Sequence, residues 1–339
     1  MTDRQLTFET NDIAHLVNGA YAKLRVGAFG NAARLLERAL ELDVEYEGVT
    51  ATLKSVRFWG ERRRRLEDLE ECDRAAYLLD QWAAFRGFAA RIEDLPERCC
   101  QDIKYYVHAR AVEYLRKCGP PDNRAAANDR YQRPRPETRR LLLIGHAYKA
   151  MGDFVNAVSH LERARKLDRD WAPLLAELAD CYSLVGEDRA AQVFFREAFY
   201  RGAAEVPVER LDSALIKRLA AAVRTAGVTD AIGEWIPVYG TLLGAFSVTR
   251  ELGPLEYGQL LQSIFELEQR LGLRPPAAVG RTAGADREAA GGALLPRLLN
   301  RYFWLIEHYR CTREQPTKIA DVLRRIKILD ADIHQQYVA

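Results

Sequence analysis

Two consecutive segments decide the fold: residues 138–171, TRRLLLIGHAYKAMGDFVNAVSHLERARKLDRDW, and residues 172–205, APLLAELADCYSLVGEDRAAQVFFREAFYRGAAE. Small, apolar and aromatic residues recur in them at an interval of 34 positions. The matched pairs are Leu141 with Leu175, Ile144 with Leu178, Gly145 with Ala179, Tyr148 with Tyr182, Gly152 with Gly186, Ala157 with Ala191, Leu161 with Phe195 and Ala164 with Ala198. This period is typical of repeats made of two helices and a turn.

Each segment carries the residue types that a packed helical hairpin needs. Small residues stand where two helices would cross, and larger apolar residues stand where neighbouring hairpins would stack. Gly152 and Gly186 fall between the helices, where glycine tolerates a positive φ. The sequence therefore predicts an all-α fold of helical-hairpin repeats, an α-solenoid, with divergent middle and C-terminal helices.

The two segments resemble the tetratricopeptide repeat (TPR) family in period and in residue types. Residues 13–46 fit the same template, with Ala20 on a first helix, Gly27 at the turn and Ala32 on a second helix. A weaker copy begins at Ser213, and Pro237 is expected to truncate its second helix. The resemblance implies helical hairpins that present their first helices to a binding partner.

Composition shifts along the chain divide it into six predicted segments. They are 1–118, N-terminal TPR-like and divergent hairpins; 119–137, a flexible Pro-containing loop; 138–205, two TPR repeats; 206–273, a divergent helical repeat region; 274–293, a disordered Ala/Gly/Pro loop; and 294–339, C-terminal capping helices.

Helical periodicity also predicts the buried faces outside the two best repeats. In the middle region the apolar positions are Leu53, Val56, Phe58, Leu66, Leu69, Ala76, Leu79, Trp82 and Phe85. Residues 256–272 form a predicted amphipathic helix with Leu260, Ile264, Leu267 and Leu271 on one face. Near the C-terminus we interpret Tyr302, Phe303, Trp304 and Tyr309 as core, with a dimer face as the alternative.

Charge and composition exclude several classes of protein. The 339 residues contain 50 Lys and Arg against 48 Asp and Glu, so the chain as a whole is not built to coat nucleic acid or an anionic membrane. The apolar stretch 235–248 is shorter than the roughly 20 residues of a membrane span. No secretory signal is recognisable, and a cytoplasmic protein is expected.

The resemblance implies a partner-binding groove on the first helices of the two best repeats. By register, its predicted residues are Arg139, Leu142, Leu143, His146, Lys149, Glu177, Asp180 and Ser183. Such a mixed-charge surface suits a protein or peptide partner of unknown identity. Chaperone-docking TPR domains use Lys and Asn to clamp a carboxylate, whereas Leu142 and His146 stand at those positions here. The alternatives are that these residues only solvate the helices, or that the C-terminal helices of the same chain cover them.

Catalytic and metal-binding patterns are not recognisable in the sequence. The six cysteines form no CxxC pair, and the six histidines lie in no metalloprotease, nucleophile-elbow or phosphate-loop motif. Glu307 and His308 come nearest to an acid–base pair, but adjacent helical residues diverge, so we interpret them as a helix-surface pair. We expect no enzymatic activity, no cofactor and no metal.

Two alternatives to a protein-binding groove remain open. Arg62, Arg63, Arg64 and Arg65 form a basic run that could bind nucleic acid, although pairing of Arg63 with Glu67 or of Arg64 with Asp68 would make it a self-neutralised helix face. The terminal helices could instead support self-assembly into a homo-oligomer.

Overall fold

The computed structural model describes residues 3–118, 134–246, 250–273, 287–312 and 316–339, with side chains described from residue 12 onward except at 72 and 287–291. These ranges contain fifteen α-helices, two short 3₁₀ helices and no β-strand. The predicted all-α, helical-hairpin fold is confirmed. The chain divides into two compact units, residues 1–160 and 161–339.

The first unit contains three hairpins and one additional helix. Its helices are α1 (Asp3–Arg25), α2 (Phe29–Leu42), α3 (Val49–Glu67), α4 (Glu71–Ala89), α5 (Glu97–Lys117), α6 (Pro136–Ala150) and α7 (Phe154–Leu167), the last of which continues into the second unit. The predicted loop 119–137 lies outside the described residues up to residue 133, and α6 begins at Pro136, where the fixed φ of proline suits a helix start.

The second unit contains the remaining helices. They are α8 (Ala172–Leu184), α9 (Asp188–Gly202), α10 (Ala214–Thr225), α11 (Ile232–Leu242), α12 (Pro254–Arg270), α13 (Arg287–Cys311), α14 (Pro316–Leu329) and α15 (Ala331–Val338). The 3₁₀ turns Ala203–Glu205 and Val208–Arg210 connect α9 to α10. Of the predicted loop 274–293, residues 274–286 lie outside the described residues, while α13 already begins at Arg287.

The same turn closes four hairpins, including the two weaker copies of the repeat. Gly27, Gly152, Gly186 and Gly227 each have φ between 71° and 84°. In every case the following residue donates its backbone N–H to the carbonyl five positions earlier, as in Asp153 to Tyr148 and Glu187 to Tyr182, both at 2.9 Å. Only a residue that accepts a left-handed conformation can close this hydrogen bond, so the glycine spacing sets the hairpin spacing.

A continuous aromatic core organises the first unit. Trp59 of α3 lies 5.6 Å from Phe85 of α4, and Phe29 of α2 meets Tyr106 of α5 edge-on at 5.1 Å. Helix α5 packs against both α1 and α6, and Asp102 on α5 pairs with Arg25 on α1 at 3.2 Å. The middle of the chain is therefore helical, as predicted.

On α4 the predicted core position Phe85 is buried, but two earlier positions were misplaced by a single residue. Helix α4 buries Ala75 and Leu78, whereas the predicted positions Ala76 and Leu79 are exposed and half-buried. Both stripes are apolar, and packing against α3 and α5 selects between them. Periodicity alone cannot distinguish two neighbouring apolar stripes on one helix.

Helix α13 is the centre of the C-terminal bundle, because α11, α12 and α14 all pack against it. It buries Tyr302, Phe303, Trp304 and Tyr309, so the core interpretation of these aromatics is confirmed. On α12, Leu260, Ile264 and Leu267 are buried as predicted, and Leu271 is half-buried.

Pro237 does not truncate α11, contrary to the expectation from sequence. The helix continues to Leu242, and Ile236 and Val238 on either side of the proline are fully buried. Pro237 removes one backbone donor, while the burial of its apolar neighbours stabilises the helix. Among the described residues, no helix combines the length and the apolar character needed to cross a membrane.

Candidate partner-binding surface

Helix α6 carries five of the eight predicted groove residues, and three of these are accessible. Arg139 is exposed, Leu143 is 38 % exposed, and His146 is half-buried. Their spacing of four and three residues places them on one face of the helix. We call Arg139, Leu143 and His146 the α6 surface.

The orientation of this surface is fixed from the other side of α6. Arg140 donates two hydrogen bonds to the Glu137 carboxylate, both at 2.7 Å, and a third to the Leu115 carbonyl at the end of α5, also at 2.7 Å. Hydrogen bonding to Glu137 raises the pKa of Arg140. The Tyr148 ring stacks on His160 of α7 at 5.3 Å. These contacts join α6 to both neighbouring helices before any partner binds.

Four predicted groove residues are buried and do not offer a surface to a partner. Leu142 and Lys149 on α6 and Glu177 and Asp180 on α8 are each less than a tenth exposed. Ser183 on α8 is half-buried. The five α6 residues belong to the first unit and the three α8 residues to the second.

Asp180 has a structural contact that the sequence pattern did not indicate. Its carboxylate accepts the backbone N–H of Asp212 at 2.8 Å and that of Ser213 at 2.8 Å. Hydrogen bonds to an ionised acceptor are stronger than neutral ones, so this carboxylate holds the residues just before α10 in place. Ser213 then caps α10 by accepting the Ile216 N–H. The predicted role of Asp180 in a groove is therefore corrected, because its oxygens are used within the fold.

A family match coincides with α6 and its hairpin partner. Residues 138–170 match the family described as tetratricopeptide repeat. The resemblance to the TPR family is confirmed. The matched TPR segment contains the α6 surface and all but the last residue of the first repeat quoted above. No curated protein and no solved structure matches the chain. The tetratricopeptide repeat suggests a protein-interaction module, and the match specifies neither a partner nor a mode of binding.

The basic run Arg62–Arg65 is largely occupied by contacts within the first unit. Arg62 lies 3.3 Å over the Phe58 ring and donates to Gln81 Oε1 at 2.7 Å. Arg63 donates to the Gly27 carbonyl at 2.6 Å and pairs with Glu67 at 3.8 Å, which confirms the predicted helical pair. Arg63, Arg64 and Arg65 are exposed, and Arg62 is half-buried. Half of this basic face therefore stabilises the fold.

Glu307 and His308 are not a surface pair. Both are buried, and the two side chains face different neighbours. Glu307 pairs with Arg196 of α9, and His308 stacks on Tyr257 of α12 at 4.5 Å and accepts the Leu252 N–H at 3.4 Å. The predicted divergence of adjacent helical residues is correct, but packing of α13 at the centre of the bundle buries both.

The described residues contain no group of three or more His, Cys, Asp or Glu arranged to hold a metal ion. The described cysteines are free thiols: Cys99, Cys100, Cys118, Cys181 and Cys311. Burial raises the pKa of Cys99 to about 12, which keeps it a protonated thiol at neutral pH.

Sequence reasoning missed an accessible apolar surface in the second unit. Leu261 and Phe265 on α12 each follow a buried residue, Leu260 and Ile264, and both remain exposed. In the sequence these two residues form a second apolar stripe on α12, beside the predicted buried stripe. Only the tertiary structure shows that Val322 of α14 lines the same cavity as Leu261 and Phe265.

Proposed function

We propose that this protein is a non-enzymatic interaction module that binds a peptide or protein partner through the α6 surface of its TPR segment. The observation that supports the proposal most directly is an exposed leucine between two polar side chains on the matched repeat. Leu143 offers apolar contact, and Arg139 offers a fixed positive charge one helical turn earlier.

The chemistry of this surface favours a partner with an acidic group beside an apolar residue. A guanidinium binds a carboxylate through two parallel N–H donors, which adds direction as well as energy. Burial of Leu143 would add the apolar contribution at the centre of a small interface. Because α6 is already held by Arg140, Glu137 and the Leu115 carbonyl, binding requires little ordering of the helix.

The proposal is tested with the double variant Arg139→Glu and Leu143→Glu of the full chain. Both side chains are accessible, so the variant is expected to remain folded and to lose at least about tenfold in affinity, or 1.4 kcal/mol. Val155→Glu is the matched control, since Val155 lies on α7 of the same repeat and is 75 % exposed. Proteins retained from the native lysate by each form are compared, and binding of the purified candidate is then titrated.

Retention of one partner by the wild type and by Val155→Glu, but not by the double variant, would support the α6 surface as the binding site. Equal retention by all three folded forms would contradict it. Turnover of a metabolite by the purified protein would contradict the non-enzymatic part of the proposal.

A further inference from the structure

His308 differs from the other buried histidines in the hydrogen bond that its ring makes. Three histidines, His108, His160 and His308, are less than a tenth exposed. The Nδ1 atoms of His108 and His160 lie 2.7 Å and 2.9 Å from backbone carbonyl oxygens, so these two rings donate. Nδ1 of His308 lies 3.4 Å from the backbone nitrogen of Leu252. Because a backbone N–H can only donate, Nδ1 of His308 is an acceptor and carries no proton.

Protonation of His308 removes the acceptor that Leu252 uses. A neutral imidazole with its proton on Nε2 has a lone pair on Nδ1, whereas both ring nitrogens of an imidazolium are donors. The Leu252 N–H is buried at this contact, and a buried donor without a partner is costly. Histidine is also the side chain that proteins use most often to sense physiological pH. The contact between His308 and Leu252 therefore exists only while His308 is neutral.

The His308 ring is also held by a contact that does not depend on its charge state. It stacks on the Tyr257 ring of α12 at a centroid distance of 4.5 Å, with 30° between the ring planes. An aromatic face attracts a cation, so this contact persists when the ring is protonated. The backbone carbonyl of His308 accepts the Thr312 N–H at 2.9 Å, and this bond does not involve the ring. Protonation therefore acts on the bond to Leu252 rather than on the packing of α13.

The elements around His308 contribute several charged side chains. They are Arg196 of α9, Arg250 and Glu251 of the segment before α12, Glu256 of α12, Glu307 and Arg310 of α13, and Lys318 and Asp321 of α14. Glu256, Glu307 and Asp321 are each paired with an arginine. Glu251 is exposed to solvent, which screens its charge. A proton on His308 therefore gains no buried, unpaired carboxylate among these groups.

Leu252 belongs to a short segment, residues 250–253, that leads into α12. The Leu252 side chain is buried, Arg250 donates to both oxygens of Glu256 at 3.0 Å, and the Gly253 N–H donates to the same carboxylate at 3.1 Å. Hydrogen bonding to Arg250 lowers the pKa of Glu256, so this carboxylate stays charged at mildly acidic pH. Of the attachments described for the segment, the hydrogen bond to His308 is the one that a proton breaks.

We propose that His308 is a pH-sensitive latch for residues 250–253. The neutral ring holds the Leu252 N–H, and a proton on Nδ1 releases it, so the segment before α12 loosens at acidic pH while α13 stays folded. The latched state binds this proton more weakly than the released state. The latch is therefore closed at higher pH and opens as the pH falls.

Amide hydrogen exchange of the full chain between pH 8 and pH 5 tests the latch, since histidine changes charge in this range. Each exchange rate is divided by the intrinsic rate at that pH to give a protection factor. We expect the protection factor of the Leu252 N–H to fall at least about tenfold from pH 8 to pH 5. The Thr312 N–H, which bonds to the carbonyl of the same histidine, should keep its protection and is the internal reference.

His308→Asn and His308→Leu separate the acceptor from the change of charge. The Asn side-chain oxygen can accept a hydrogen bond near the position of Nδ1 and does not titrate, whereas Leu has no acceptor. We expect His308→Asn to protect the Leu252 N–H equally at pH 8 and pH 5, and His308→Leu to leave it unprotected at both. His15→Asn is the control, since His15 is exposed on α1 in the other unit, and should retain the wild-type pH dependence. Circular dichroism verifies folding.

Equal protection of the Leu252 N–H at pH 8 and pH 5 in the wild type would overturn the proposal, as would a wild-type pH dependence in His308→Asn. A parallel loss of protection at Thr312 would show general unfolding and would also overturn it. If the variants do not fold, nitrogen-15 NMR of the wild type decides, because the titration of His308 and the loss of protection at Leu252 must share one midpoint. Two distinct midpoints would contradict the latch. The outcome is independent of the α6 surface, because His308 and Leu252 lie in the second unit.

Discussion

Gly27 and Gly152 occupy equivalent turns but differ in their surroundings. Both have a left-handed backbone, with φ of 71° and 82°. A Cβ at Gly27 would collide with the Tyr106 ring, whereas a Cβ at Gly152 would meet open space. The repeat pattern predicted the conformation of both turns, but the contact with Tyr106 depends on α5, some eighty positions further along the chain.

Gly27→Ala is expected to destabilise the protein by about 3 kcal/mol, and Gly152→Ala by about 1 kcal/mol. The left-handed conformation costs an alanine roughly 1–2 kcal/mol at either position, and the collision at Gly27 adds the cost of overpacking. Urea titration followed by circular dichroism measures the difference. Equal shifts of the midpoint in the two variants would show that the Tyr106 ring moves aside at little cost.

His108 makes the stability of the first unit dependent on pH. Burial lowers the pKa of His108 to about 4 from its usual 6.5, and the ring meets Trp82 edge-on at 5.7 Å. The hydrogen bond to the Lys104 carbonyl raises the pKa in part, while the charges of Lys104, His146 and Arg86 lower it. The folded state binds this proton more weakly than the unfolded state, so the contribution is complete above about pH 6.5 and is lost as the pH falls towards 4.

The expected loss between pH 7 and pH 4 is about 3 kcal/mol, from 1.36 kcal/mol for each pH unit of the shift. His108→Gln should remove most of this dependence. His15→Gln is the control, since His15 is exposed on α1, and should retain it. Thermal unfolding at several pH values measures how the free energy of unfolding changes with pH. The same pH dependence in His108→Gln and in the wild type would show that His108 is not its cause.

The Asp180 side chain on α8 holds the residues that lie directly before the start of another helix, α10. Its carboxylate on α8 accepts backbone N–H groups of Asp212 and Ser213, directly before α10. Sequence reasoning placed Asp180 on the accessible face of α8, because helical periodicity gives the face and not the neighbour that covers it.

Asp180→Ala is expected to destabilise the protein by about 3 kcal/mol, since the backbone donors of Asp212 and Ser213 lose a charged acceptor. Amide hydrogen exchange should show reduced protection at Asp212 and Ser213 in particular. Asp188→Asn, at an exposed first-turn position of α9, should cost under about 1 kcal/mol. Unchanged protection at residues 212 and 213 would contradict the proposed contact.

For the helices outside the two best repeats, the sequence predicts helical structure better than it predicts which face is buried. The helical character of the middle region was predicted from apolar positions between Leu53 and Phe85, and the buried face of α12 was predicted in the same way. In the first half of α4 the buried positions were displaced by one residue because Ala75 and Ala76 are equally apolar, and only contact with α3 and α5 distinguishes them. Pro237 lies inside α11 because burial of its neighbours outweighs the loss of one hydrogen bond.

The boundary between the two compact units does not coincide with a boundary between sequence repeats. The division between the units falls at His160 and Leu161, within the second helix of the matched TPR segment. A repeat is a unit of sequence that packs on its neighbours, so a compact unit can include part of one. The bounds of the six segments therefore stay a prediction from the sequence.

The sequence by itself determined the helical hairpins, their glycine turns and the TPR resemblance, because these depend on residues close together in the chain. The tertiary structure decided which polar residues are accessible and which are used within the fold, as Arg139 and Asp180 show. It also placed Leu261 and Phe265 of α12 and Val322 of α14 around one cavity, although they lie more than forty positions apart in the chain. Burial depends on contacts between distant segments, and helical periodicity carries no information about those contacts.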